Sequence, residues 1–433
     1  GANEFVNKFA LALTGKRRSG PAIASVIASA LMGTINGSAV ANVVGTGSFT
    51  IPLMKNRGYK PEFAAGVESV ASTGGQILPP VMGAGAFIMV AFTKIAYTNI
   101  ILAATIPALL YFFSVGIGLI FRSMRRGIQG LSKDELPDFK KVIKDGVLYI
   151  PAIFILIYAL LIAAASPMMA AFYATIAIPV CMVVSKTKRF GLKKIFSALK
   201  LGGENALTIV AGCACAGIIV AMVALTGLGV AFSDMMLTLS GGNLFFTLLL
   251  TAIACIILGM GLPTTAAYII TAAIIAPALE RLGVPLLAAH LFVFYYACLS
   301  AITPPVALAA YAGAGIANSN PMHTAVESCK LGIIGFIVPF MFVYNGVLLA
   351  NGSFLAIMFA CLTSLIGVTA LVSGVQGYLI RISNPIERIL LFVGGLILVK
   401  PGLITDSLGM VLILAVLIFQ LTGMKKPVAS QNA

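Results

Sequence analysis

Residues 67 to 87 read VESVASTGGQILPPVMGAGAF and place a carboxylate (Glu68), the pair Gly74-Gly75, an amide (Gln76) and the pair Pro79-Pro80 inside one apolar run. A proline removes an N–H donor and clashes with the preceding turn, and the residue before it leaves the α region, so this stretch must unwind. The carbonyl oxygens freed in this way suit a small hard cation such as Na+. Similar chemistry recurs at AITPP, where Thr303 precedes Pro304-Pro305. Two further stretches, NGSAVAN (36 to 42) and GMGLPTT (259 to 265), supply hydroxyls and amides. Half-helix N-termini beside them can hold a carboxylate. The spacing predicts two cation sites flanking one anion site. The expected cation ligands are Gly37, Ser38, Thr73 and Gly74 in the first set and Gly259, Gly261, Thr264 and Thr303 in the second. The expected anion contacts are Asn36, Ser38, Asn42, Gln76, Pro80, Thr265 and Pro304.

Composition sets the class that must position these residues. The chain has 433 residues, 60% hydrophobic and only 9% charged, with a mean hydropathy of +1.06, whereas soluble domains carry about a quarter charged residues. It reads as an all-α polytopic membrane protein. Its 28 Lys and Arg outnumber 13 Asp and Glu, but they gather between apolar runs as a topology signal and form no nucleic-acid stripe. Seven cysteines without a CxxC pair read as buried thiols. His290 and His323 are isolated and are assigned to neither metal nor proton transfer.

Basic clusters at Lys16 to Arg18, Lys55 to Lys60, Arg122 to Lys144 and Lys186 to Lys194 are expected on the cytoplasmic side. The run 22 to 54 has such clusters at both ends, so it is predicted to enter the membrane and turn back as a re-entrant hairpin. Carrying the count forward, the run 244 to 276 begins outside. An internal repeat accompanies this parity: Pro52, Gly58, Pro79 and Pro80 align with Pro277, Gly283, Pro304 and Pro305, each 225 residues on. Because the first copy opens inside and the second outside, the repeat is predicted to be inverted. The expected organisation is an arm (1–21), a first repeat (22–126; hairpin 22–54, broken helix 63–93, helix 100–121), a linker with scaffold helices (127–200), a second repeat (201–350; hairpin 244–276, broken helix 286–317), and C-terminal helices with a tail (351–433). The runs 388 to 399 and 408 to 422 are short for a hydrocarbon core of about 30 Å, and are left unassigned as re-entrant or interfacial segments.

Two stretches, ALMGTINGSAVANVVGTGSFTIPLMKNRGYKPEFAAGVESVASTGGQILPPVMGAGAFIM and LGMGLPTTAAYIITAAIIAPALERLGVP with its later TPPVALAAYAGAGIA, resemble the large, DctM-like membrane subunit of TRAP transporters. The TAXI type, with fused subunits, is the nearest likeness, and the tail KPGLITDSLG is similar to fused permeases of that type. The resemblance implies an elevator-type transporter in a bacterial or archaeal inner membrane. It implies Na+-driven uptake of a small organic anion, a dicarboxylate or an amino-acid-like carboxylate, handed over by a TAXI-type periplasmic binding protein. Small-subunit-like helices are expected to be fused upstream of Gly1. Membrane lipid is a further expected partner; nucleic acid is not.

Other readings compete. Glu68 is a candidate coupling carboxylate or a paired structural carboxyl. The hydroxyls of Ser38, Thr264, Thr265 and Thr303 either serve as ligands or bond within their own helices. No HExxH, no paired aspartates and no GxxxxGK[ST] loop supports an enzyme or an ATP-driven pump. A binding-protein-independent carrier of another inverted-repeat family is the stronger rival.

Overall fold

The computed structural model describes residues 1–147, 149–163, 165–184, 191–398 and 402–423. Lys186, Lys188 and Arg189 of the fourth basic cluster, and Lys400-Pro401 of the tail motif, lie outside the described residues. The fold is all-helical, 81% helix, with no strands among the described residues. In chain order the helices are α1 (Ala2–Thr14), α2 (Gly20–Asn36), α3 (Ala39–Asn56), α4 (Pro61–Gly75), α5 (Gly83–Thr93), α6 (Tyr97–Arg126), α7 (Phe139–Gly146), α8 (Ile150–Leu161), α9 (Pro167–Val184) and α10 (Leu192–Thr226). They continue as α11 (Leu228–Ser240), α12 (Leu244–Gly259), α13 (Thr264–Arg281), α14 (Leu286–Leu299), α15 (Leu308–Ala317), α16 (Pro321–Leu331), α17 (Ile333–Tyr344), α18 (Phe354–Gln376), α19 (Pro385–Ile397) and α20 (Leu403–Gly423).

Four of these helices are long and apolar enough to cross a membrane among the described residues, or six if the bent pairs α7–α8 and α16–α17 each count as one span. Helix α6, with 30 residues, is about 45 Å long at 1.5 Å per residue. The apolar run 408 to 422 belongs to the 21-residue α20, because Thr405, Asp406 and Ser407 extend it by a polar first turn. Its window Thr405–Thr422 therefore qualifies as a span.

Local chemistry explains the helix breaks. Helix α2 ends where Gly37 takes a left-handed φ of 64°, and α3 restarts at Ser38, whose hydroxyl accepts the N–H of Ala41 at 3.3 Å. Helix α4 begins on Pro61 and stops at the unwound Gln76–Met82. Helix α14 begins after Pro285 and stops before the unwound Ser300–Ala307. Both Pro79-Pro80 and Pro304-Pro305 are cis. The positive-φ residues Gly58 and Met82 recur as Gly283 and Ala307, again 225 positions on.

The first halves of the two broken helices are the most enclosed elements. Every residue of α4 from Phe63 to Gly75 is buried, and so is every residue of α14 from Ala288 to Leu299. Small residues let α4 approach its neighbours closely, whereas Phe292, Phe294, Tyr295 and Tyr296 fill the space around α14. The second halves cross over. Helix α15 packs on α3 and α4, while α5 packs on α13 and α14. Around this body α6 packs on α17 and α18, and α18 continues through α19 to α20. Large apolar side chains such as Leu207 and Phe354 lie exposed on α10 and α18, with 67% and 77% of their surface open, as lipid-facing positions require.

A candidate transport site at two hairpin tips and two helix breaks

The α2–α3 tip is pressed against the first break. A Cβ on Gly37 would lie 3.0 Å from the Cα of Gly83, and one on Gly75 only 2.6 Å from the Cα of Gly33. Polar contacts fasten the same joint. Thr34 donates to the Leu78 carbonyl at 2.7 Å and accepts the N–H of Val81 at 3.2 Å. Tyr97, at the start of α6, donates to the carbonyls of Pro80 and Val81 at 2.9 and 2.7 Å. Backbone groups freed by the prolines are thus partnered by side chains from neighbouring elements.

Gln76 links the two halves of the site. Its Nε2 donates to the Gly37 carbonyl at 2.9 Å and to the Thr264 hydroxyl at 2.8 Å, and its Oε1 lies 3.1 Å from the same hydroxyl. One amide therefore ties the tip of α2–α3 to the first turn of α13. The second tip meets the second break through Ser300, which donates to the Gly259 carbonyl at 3.2 Å, and within the second broken helix Tyr311 donates to the Pro305 carbonyl.

Gly37 and Thr264 meet through Gln76, while Asn36, Ser38 and Gly261 lie exposed at the tips. Pro80 and Pro304 lie half-buried on the unwound breaks. Thr265 is buried on α13. Asn42 is fully buried, with its Nδ2 donating to the Ser29 carbonyl at 2.9 Å and the Ser72 hydroxyl at 3.0 Å. Thr303 donates to the Leu299 carbonyl one turn back, at 2.7 Å. Gly74 faces the ring of Tyr111, where a Cβ would lie 2.3 Å from Cε1. Thr73 differs from all of these, because its hydroxyl is buried with no hydrogen-bond partner among the described residues. An orphaned oxygen at the end of α4 fits a cation ligand, since buried polar atoms are otherwise nearly always paired.

Glu68 lies about 12 Å along α4 from Gln76, fully buried between the arms of the first hairpin. Its carboxylate accepts from Ser25 at 2.5 Å and Thr50 at 2.6 Å, and also from Ser29 and Thr46. Beside these four, the Ser72 hydroxyl one turn along α4 makes a longer contact at 3.4 Å, and together the donors fill the acceptor capacity of two carboxylate oxygens. Sequence reasoning missed these four hydroxyls, as it missed Thr34, Tyr97 and Ser300. A signal for the first group exists: Ser25 and Ser29, and Thr46 and Thr50, stand four residues apart on each arm and so share one helix face.

The family described as the tripartite ATP-independent periplasmic transporter, DctM component, matches residues 1–357. The chain belongs to this family. It is similar to the C4-dicarboxylate TRAP transporter large permease protein DctM of Vibrio cholerae, at 33% identity over 33% of this chain and 31% of that protein. The sialic acid TRAP transporter large permease protein SiaM of the same organism is 24% identical over 79% of this chain and 78% of its own length. The isethionate TRAP transporter permease protein DctMQ of Oleidesulfovibrio alaskensis is 23% identical over 71% of this chain and 48% of that protein. The matches therefore span between about a third and four-fifths of these relatives. The family is a transporter component, so the enzyme reading is set aside.

Proposed function

We propose that this chain is the large permease of a TAXI-type TRAP transporter that couples Na+ entry to uptake of a small organic anion across a bacterial inner membrane. Gln76 carries the reading. A single amide that holds both hairpin tips at one helix break makes the tips and the breaks walls of a common site. The buried, unpartnered Thr73 hydroxyl supports a cation beside it. The relatives' names cite a C4-dicarboxylate, sialic acid and isethionate, all organic anions. No arginine stands in either tip or either break, so the anion is held by helix ends, amides and hydroxyls.

The crossed packing of α5 and α15 favours movement of both hairpins and both broken helices as one elevator body, in the inverted-repeat arrangement. A periplasmic binding protein delivers the anion, and small-subunit-like helices complete the scaffold. Uptake by proteoliposomes tests these points together. It is expected to require both an added binding protein and Na+. Uptake unchanged in K+ or choline and collapsing with the proton gradient would remove sodium coupling. Uptake without any binding protein would favour the binding-protein-independent carrier.

A further inference from the structure

A cavity of about 320 Å³ opens between the first turn of α4, the last turns of α6 and helix α16. Lys60, Arg122, Arg126 and Lys330 line it, against the two carboxylates Glu62 and Glu327. Glu327 is already committed, at 3.0 Å from Lys330 and 3.6 Å from Arg122. Lys60 and Arg126 have no ion-pair partner among the described residues. The Arg122 guanidinium lies 4.9 Å from the centre of the Phe63 ring, and its Nε is buried without a hydrogen-bond partner among the described residues. A fixed, partly unsatisfied guanidinium beside two free cations is the donor set that recognises a phosphate group.

We infer that this cavity binds a phosphate group, presented either by an anionic phospholipid headgroup or by a soluble phosphate. Its place favours contact with lipid: the cavity closes the basic end of the 30-residue helix α6, where positively charged pockets between spanning helices meet headgroups. Arg126 also lies at the C-terminus of α6, and so the helix dipole tolerates its charge but supplies no counter-anion. A bound phosphate bridges α4 to α6. On the elevator reading it fastens the moving body to the scaffold; binding itself does not depend on that reading.

Native mass spectrometry of the full chain in detergent, titrated with phosphatidylglycerol or phosphatidylcholine, tests the site, alongside thermal shifts with inorganic phosphate. Wild-type protein is expected to retain phosphatidylglycerol about tenfold or more over phosphatidylcholine, and Lys60→Gln/Arg126→Gln is expected to lose that preference, each charged contact being worth roughly a factor of ten. Both residues are exposed, so the variant keeps its fold; Lys140→Gln, outside the cavity, is expected to behave as wild type. Stabilisation by inorganic phosphate without lipid preference, lost in the double variant, assigns the soluble source. No preference for either probe, or an unchanged double variant, overturns the proposal.

Discussion

A buried hydroxyl with no partner is a cost that a soluble core rarely keeps, and Thr73 keeps one at the end of α4. Thr73→Val separates two explanations. Where the oxygen has no ligand, valine removes an unsatisfied group and stability is unchanged or rises by about 1 kcal/mol. Where it coordinates Na+, the same change weakens sodium dependence while the fold survives. The expected outcome is an unchanged or higher melting temperature with a sodium concentration for half-maximal uptake raised about tenfold, one ligand being worth roughly 1.4 kcal/mol. Unaltered sodium dependence would move the site away from α4. Glu68 behaves differently. Its four closest donors lie on the hairpin arms and it faces no cation among the described residues, so its carboxylate pins α2 and α3 to α4. On Glu68→Ala, Thr46 and Thr50 can fall back on carbonyls one turn away, at 2.8 and 3.2 Å. The Ser25 hydroxyl, by contrast, donates to the Glu68 carboxylate alone among the described residues. With the cavity added, a loss on the order of 2–4 kcal/mol is expected, read as a lower denaturation midpoint in detergent. A variant as stable as wild type would return Glu68 to a coupling role.

At the scale of elements, the contact of α2 with α4 depends on two glycines. The three atoms nearest a Cβ on Gly75 would all be backbone, two of Gly33 and the Ser29 carbonyl oxygen, the closest at 2.6 Å, and backbone cannot rotate away. Gly75→Ala is therefore expected to cost about 1–3 kcal/mol and to depress uptake by displacing the adjacent Gln76 from its partners. A Cβ on Gly116 of α6 would meet nothing within 4 Å, so Gly116→Ala is expected to be neutral or to stabilise by about 0.5–1 kcal/mol. Circular-dichroism melts of the two proteins, with uptake measured in parallel, check both; equal behaviour would remove the close crossing from the explanation. The breaks themselves were readable in the sequence because Pro-Pro and Gly-Gly act on the local backbone. The partners of the freed carbonyls were not, since Tyr97 and Thr34 reach them only through tertiary packing. Nor does any local pattern announce that α15 lies against the first hairpin and α5 against the second. The length of α20 was hidden by its polar first turn, which lowers local hydropathy without ending the helix.

For the whole molecule, the proposed elevator motion would have to break the hydrogen bonds between the hairpin body and α6, α17 and their neighbours. Tyr59, in the loop before α4, lies 2.7 Å from the Ser123 hydroxyl of α6. Tyr111 of α6 donates to the Val70 carbonyl of α4 at 2.9 Å, and Tyr296 of α14 donates to the Phe336 carbonyl of α17 at 2.6 Å. Tyr97 of α6 adds its bonds to the Pro80 and Val81 carbonyls; isolated bonds of this kind contribute roughly 0.5–1.5 kcal/mol each, individually small enough for binding energy to overcome. By contrast, the Glu68 cluster, the Gln76 bridge and the Lys55 bond to the Ala317 carbonyl at 2.7 Å all lie inside the hairpin body. Bonds within the body therefore outnumber and outweigh those across its boundary, the pattern expected of a rigid piece moving against a frame. Cysteines at positions 59 and 123, in a background without the seven native thiols, joined by a short bis-maleimide, should abolish uptake and leave sodium-dependent substrate binding intact. Release of the linker through a cleavable version should restore uptake. Full transport by protein shown to be crosslinked would rule out sliding of the body along α6 and leave gating by the hairpin tips alone.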